Sequence, residues 1–330
     1  MSEPLESRPE PVEPQPEPLE PRPAVLHLAT YFPPHRGGIE SHLATLAATM
    51  ASEFDLRFLV AHHASRVTSL EHLPASQVAS VSDLDRELRG DGCPVTPLAA
   101  PGRFGNVERE RSTVEPRVRV ARLGLACRVW GAPLTPGLAA WVRAWCGDAI
   151  ELHHPHPMGG LALLEARPDV PWIVRYHSPI VRQRLAARLF TPWFHAVFDR
   201  AAVIVVSSPP LATQPELRRY GAKLRCLPLA VDSQQFTPLP AAAPQRREGE
   251  AAVEGAKAAV AACRTHAGGA FALFLGRLVG YKGVEVLLQG LRDTPGIRLV
   301  CVGDGPRRLR LQRLAARWGL GERVRWVVRC

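Results

Sequence analysis

The 330-residue chain contains no stretch approaching the roughly 18 consecutive apolar residues that a membrane span requires. Met1–Pro23 has neither a basic start nor an apolar segment, so no secretory signal is expected and the expected compartment is the cytoplasm. The seven cysteines, at 93, 127, 146, 226, 263, 301 and 330, form no CxxC pair, which argues against a zinc ribbon or a disulfide framework and leaves reduced, mostly buried thiols as the expectation. No GxxxxGK[ST] occurs, so a P-loop is unsupported, and no nucleic-acid recognition motif accompanies the basic balance.

What is present is the composition of a soluble globular protein, 46% hydrophobic and 22% charged, with length enough for two domains. Residues 1–23 hold six Glu against Arg8 and Arg22, a net of −4, leaving +14 on the rest of a +10 chain. That excess suits anionic partners, whether nucleotides, phospholipid head groups or nucleic acid, while a coding bias toward Arg, Ala and Pro produces the same excess. Its densest stretch, with Arg117, Arg119, Arg122 and Arg128, suggests peripheral contact with anionic lipid.

The repeated Pro-Glu pattern of residues 1–23 buries too little to offset chain entropy, so a disordered or polyproline-like tail is expected. From Ala24, strand-like apolar runs recur: Ala24–Ala29, Leu56–Ala61, Ala149–Leu152, Trp172–Arg175, Ala202–Ser207, Arg225–Leu229, Phe271–Leu275, Ile297–Val302 and Arg323–Val328. Between them lie helical stripes, such as Ile39, Leu43, Leu46, Ala47 and Met50, or Val284, Leu287, Leu288 and Leu291, or Leu311, Leu314, Ala315 and Trp318. The alternation predicts α/β architecture: Rossmann-like parallel sheets covered by helices. Residues 24–236 read as one domain and 237–330 as a second, with 237–270 a Pro- and Ala-rich linker carrying a helix near 249–264. Residues 77–135 show no clean periodicity.

Four loops carry candidate chemistry. Thr30–Gly38 brings Gly37 and Gly38 to the start of a helix, where backbone N–H groups can meet an anion or simply form a tight turn. His153-His154-Pro155-His156-Pro157 follows a parallel strand at its C-terminal end, where open α/β sheets hold ligands. Its two prolines oppose convergence on a metal, and polar contact with a sugar, proton chemistry or a structural role remain open for each histidine. Phe274–Gly283 sets Arg277 and Lys282 five residues apart in one strand-end loop, a spacing suited to gripping a diphosphate without Mg²⁺, and Gly276, Gly280 and Gly283 allow close backbone approach. Val302–Pro306 contributes Gly303 and Gly305, but Arg308 stands where a dinucleotide fingerprint needs its third glycine.

Taken in order, Tyr31–Glu40, His153–Pro157, Tyr176-His177-Ser178, Ile180–Gln183, Ala201–Ser208, Leu227–Asp232 with Phe236, and the last two loops resemble glycosyltransferase family four, the retaining GT-B group 1 enzymes. The resemblance covers nearly all of residues 24–328. It implies a GT-B fold with an acceptor-side first domain, a nucleotide-sugar donor held in the cleft between two domains, and no metal or other cofactor. It further implies transfer of a hexose, with retention, from a GDP- or UDP-sugar to a polysaccharide or lipid-linked acceptor. In its light Arg277 and Lys282 match the pair that stabilises the leaving diphosphate. Gly37 and Gly38, with Gly276, Gly303 and Gly305, match the loops near the donor. His153 matches the histidine that touches the transferred sugar, and His156, His177 and Arg182 fall on the acceptor side. Pro179 stands where many relatives carry an acid after His-Ser. The family's Glu-x₇-Glu segment is missing, so the second domain is expected to be half made, with an uncovered sheet edge and unburied helix faces. A non-catalytic remnant of the family and a sugar-nucleotide epimerase on the same architecture are the alternative expectations.

Overall fold

The structure, a computed structural model, describes residues 22–33, 35, 37–62, 68–74, 96–97, 117–129, 132–179, 184–231, 261, 265 and 271–327. The Pro-Glu tail up to residue 21, nearly all of the 237–270 linker, Arg182, Asp232, Phe236 and Val328 lie outside the described residues. The chain divides into two compact units, 1–237 and 238–330.

The first unit is built on a nine-stranded sheet. In chain order its elements are β1 (Ala24–Leu28), α1 (Gly38–Met50), β2 (Asp55–Ala61), β3 (Ser69–Pro74), β4 (Thr96–Pro97) and β5 (Arg117–Leu123). A small hairpin of β6 (Cys127–Val129) and β7 (Ala132–Leu134) precedes α2 (Leu138–Arg143), β8 (Ala149–His154), α3 (Pro157–Ala166) and β9 (Trp172–Tyr176). Then come α4 (Arg184–Arg200), β10 (Val203–Val206), α5 (Pro209–Ala212), a 3₁₀ turn and β11 (Leu224–Cys226). The strand order is β11-β10-β9-β8-β1-β2-β5-β3-β4, parallel throughout except where β3 runs against β5 and β4.

This order reverses at β1, which pairs with β2 on one side and β8 on the other. Chain leaving β1 therefore turns one way through α1 and chain leaving β8 turns the other way through α3. The sheet is buried on both faces as a result. Leu43, Ala44 and Ala47 of α1 pack with Leu56, Phe58, Val60 and Val120 on one face. Leu163 and Ala162 of α3 pack with Leu26, Leu28, Ile150, Leu152 and Val174 on the other. Such a crevice at the carboxyl ends of diverging strands is where an open α/β sheet binds ligands.

Within the arginine-rich stretch the structure corrects the place of Arg122, while Arg117 and Arg128 are exposed. Residues 117–123 are the interior strand β5, whose Arg-Val alternation is the period of a strand, with Val118 and Val120 in the core. Arg122 is 3% exposed, donating to Glu71 at 2.7 Å and to the Phe32 and Pro33 carbonyls, so it belongs to a buried ion pair rather than a lipid-facing patch. The expectation of mostly buried thiols is also corrected. Of the described cysteines Cys301 is buried, while Cys127, Cys146 and Cys226 are exposed.

The second unit holds β12 (Phe271–Leu275), α6 (Val284–Arg292), β13 (Arg298–Val302), α7 (Arg308–Arg317) and β14 (Val324–Val327). Its three strands are parallel, in the order β12-β13-β14. Val284, Leu288 and Leu291 of α6 join Leu311 and Ala315 of α7 over Leu299, Cys301 and Val324. Leu273 and Leu275 alternate with the residues that face these helices, and both are exposed.

Candidate functional site

β1, β8 and β9 are apolar runs with an ionisable residue in each, and parallel register places those residues side by side. His27 pairs with Glu151, and His153 with Arg175. All four lie on the sheet face under α1, because the alternate residues Leu26, Leu28, Ile150, Leu152 and Val174 fill the opposite core. Arg175 Nε donates to Glu151 Oε1, and His27 Nδ1 lies 3.4 Å from Glu151 Oε2. His27 Nδ1 also lies 3.1 Å from His153 Nε2, and His153 Nδ1 lies 3.0 Å from His177 Nε2. His42, from α1, sets its ring 5.6 Å from that of His177 and 6.1 Å from that of His153. The result is a line of side chains from Glu151 through His27 and His153 to His177.

Burial governs the charges. His27 and His153 are 2% and 1% exposed, and desolvation holds both rings below the ordinary histidine pKa, His153 well below it. Desolvation lowers His42 and His177 to about 4 each, and the Arg175 cation pushes the same way. Glu151 stays ionised. Burial opposes its charge, but the Arg175 guanidinium bonded to it, with His27 Nδ1 facing its other oxygen, outweighs burial.

His153 itself is shut off from solvent, and His177, half-buried, is the member of the line that approaches the surface. His154 points to the opposite face, stacked on Tyr176 and edge-on to Phe194 and Phe198. His156 caps α3: its Nδ1 accepts from the Gly159 N–H at 2.8 Å and the ring also hydrogen-bonds the Ala29 backbone. The three histidines of the motif therefore do not converge. His27, Glu151 and His153 do bring ligand atoms within 4.8 Å of one another. They fit a metal poorly, since an ion on His27 Nδ1 would force the ring proton onto Nε2, which is buried with no partner. The Arg175 cation beside the carboxylate is a second obstacle.

At the start of α1, Gly37 is the N-cap residue in extended conformation, and Gly38 has open space where a Cβ would stand. Glu40, buried in the first turn, folds back over Gly37 and accepts from His35 at 3.1 Å, so the protein's own carboxylate lies at this helix terminus.

In the second unit the loops after β12 and β13 pack backbone on backbone. Leu278 N–H donates to the Asp304 carbonyl at 2.9 Å and Arg307 N–H to the Leu278 carbonyl at 3.2 Å. This is why glycines recur here. A Cβ on Gly303, at φ +141, would come within 2.0 Å of the Gly276 carbonyl oxygen, and one on Gly305 within 2.6 Å of the Leu278 carbonyl oxygen. Leu278 and Val279 are buried and anchor the loop, while Arg277 and Lys282 on it are exposed. Among the described residues neither has an ion-pair partner, whereas the neighbouring Arg307 and Arg310 are both paired with Glu285.

The sequence reading missed His27, His42, Glu151 and Arg175. The available signal for all but His42, which lies on α1, was ionisable residues of compensating character within three apolar strands: His27 in β1, Glu151 in β8 and Arg175 in β9.

A family model described as Glycosyltransferase Family 4 matches residues 77–235, and one described as Glycosyl transferases group 1 matches residues 264–330. The O-antigen chain mannosyltransferase C of Escherichia coli is 30% identical over 178 residues, covering 54% of this chain and 43% of that protein. The D-rhamnosyltransferase WbpZ of Pseudomonas aeruginosa is 32% identical over 174 residues, covering 52% of this chain and 41% of its own. The matched stretch thus spans less than half of either relative. Among solved structures, Anabaena Alr3699/HepE in complex with UDP-glucose superposes with a TM-score of 0.58 at 14% identity, covering 94% of this chain and 70% of that one, a likeness of fold.

Proposed function

We propose that the chain, matched by the two glycosyltransferase family models over residues 77–235 and 264–330, is a GT-B glycosyltransferase that transfers a hexose from a GDP- or UDP-sugar to a polysaccharide or lipid-linked acceptor, with retention. The observation that carries this reading is the pair of exposed cations, Arg277 and Lys282, on the loop after β12, neither with an ion-pair partner among the described residues, the Lys282 ammonium lying 5.7 Å from the Tyr281 ring centre. An arriving diphosphate supplies the missing counter-charge. Because charge grows on the diphosphate as the glycosidic bond breaks, fixed cations stabilise the transition state more than the ground state. Two of them can do so without Mg²⁺. The relatives named above act on O-antigen chains or are rhamnosyltransferases, and HepE was solved with UDP-glucose, which supports a nucleotide-sugar donor and a saccharide acceptor.

On the first unit, His177 is the residue we assign to the saccharide, with His153 behind it. No helix among the described residues is long and apolar enough to cross a membrane. In this reading the chain works in the cytoplasm and meets a lipid-linked acceptor through peripheral contact.

The test is nucleotide binding to the 330-residue chain by calorimetry, with UDP and GDP as probes. Binding that weakens at least tenfold in Arg277→Ala and in Lys282→Ala supports the reading. Equal affinity in wild type and both variants, or no binding of either nucleotide at millimolar concentration, refutes it.

A further inference from the structure

The four-residue line in the first unit has a direction, and one orphan atom sets it. His27 Nε2 is buried without a hydrogen-bond partner among the described residues. A buried, unpaired N–H donor is the costlier orphan and is rare in folded proteins, whereas an unpaired lone pair is better tolerated. The neutral His27 ring therefore carries its proton on Nδ1. From that point each link determines the next. The His27 Nδ1–H lies between Glu151 Oε2 at 3.4 Å and His153 Nε2 at 3.1 Å, so His153 Nε2 is an acceptor. The His153 proton must then sit on Nδ1, where it is donated to His177 Nε2 at 3.0 Å. His177 Nε2 is in turn an acceptor, leaving its own proton on Nδ1.

We infer that Glu151, His27 and His153 are positioning residues that lock His177 in the Nδ1–H tautomer, so that it offers a neutral hydrogen-bond donor to an oxygen lone pair of the bound saccharide. The assignment of a saccharide rests on the function proposed above; the tautomer chain itself does not. Arg175 completes the device by engaging Glu151 Oε1, which leaves Oε2 for His27. His42, the other titratable group facing His153 and His177, stays neutral beside them and adds no competing charge. A neutral donor suits sugar hydroxyls, because a charged imidazolium would instead favour carboxylates and phosphates.

The test is long-range ¹H–¹⁵N correlation of histidine ring nitrogens in the full chain at pH 7, with resonances assigned from His177→Asn and His153→Asn. All of His27, His153 and His177 should be neutral with a protonated Nδ1 and a bare Nε2, the tautomer that free histidine disfavours. His153→Ala then offers a sharper check. It removes the donor to His177 Nε2, so the half-buried His177 ring should revert to the Nε2–H tautomer that free histidine prefers. A wild-type His177 with its proton on Nε2, or carrying both protons, overturns the inference. So does an unchanged His177 tautomer in folded His153→Ala, or stoichiometric zinc in the purified protein by mass spectrometry. Because no spectrum requires sugar transfer, an inactive chain with the stated tautomers would sink the enzyme reading alone, and an active chain without them would sink only this one.

Discussion

Mild acid should destabilise the first unit at a pH where its carboxylates are still ionised. His154 and His156 are 3% and 4% exposed, and desolvation lowers their pKa values to about 3 and about 4, from 6.5. Both rings are neutral in the folded protein at neutral pH. Below pH 6.5 the unfolded chain binds protons that the folded chain refuses. Their contribution to stability is therefore complete above 6.5 and is lost as the pH falls toward the folded values. The linkage slope is about 1.4 kcal/mol per pH unit for each proton. At about pH 5 each ring has then cost on the order of 2 kcal/mol, or about 4 for the two, against a typical domain stability of roughly 5–15 kcal/mol. His27 and His153, also lowered by burial, act in the same direction. Urea unfolding from pH 7.5 to 5, followed by tryptophan emission to which the buried Trp141, Trp145 and Trp172 contribute, should show this loss with no change in fold at the upper end. His156→Asn keeps an acceptor for the Gly159 N–H but removes one titrating ring. It should reduce proton uptake on unfolding near pH 5 by about one. A stability that changes by less than about 1 kcal/mol over this range would show that these rings do not sit neutral in a dry core.

In an enzyme assay with a competent donor and acceptor, Arg277→Ala should lower turnover by about 10² to 10³, and a near-normal rate would remove the residue from the catalytic list. Gly303→Ala should destabilise the second unit by about 2 kcal/mol or more, because its Cβ would meet the Gly276 carbonyl at a positive φ; hydrogen exchange of β12 and β13 reads this, and unchanged protection contradicts it. Glu71→Ala should cost about 3 kcal/mol in urea unfolding, since it strips the buried Arg122 of its counter-charge, and a loss under about 1 kcal/mol would mean that the Phe32 and Pro33 carbonyls suffice.

Most of the sheet was legible before any coordinates. Phe271–Leu275 coincides with β12, and Trp172–Arg175 falls one residue short of β9. β9 reads as an apolar run because a parallel strand inside the sheet is covered on both faces, and β12 reads the same way although its Leu273 and Leu275 are exposed. β5 was not legible, because Arg117, Arg119 and Arg122 hide its alternation behind charge, and only the partner Glu71, 51 residues earlier, explains a buried arginine there. The cations of the β12 loop could be found from spacing alone. The histidine line could not, because its members lie on two strands and a strand exit.

The order of residues alone determined the α/β class, the strand–helix units and the loops where chemistry would gather, because periodicity and glycine spacing are local properties that backbone geometry reads directly. Which side chains meet was decided by tertiary structure. Parallel register set His27 beside Glu151 and His153 beside Arg175, and the reversal of strand order at β1 put that group at the kind of switch point where open α/β sheets hold ligands. Enclosure then did what no motif encodes: by excluding water it made the histidines neutral and bound the direction of every proton in their line to one nitrogen with nothing to bond.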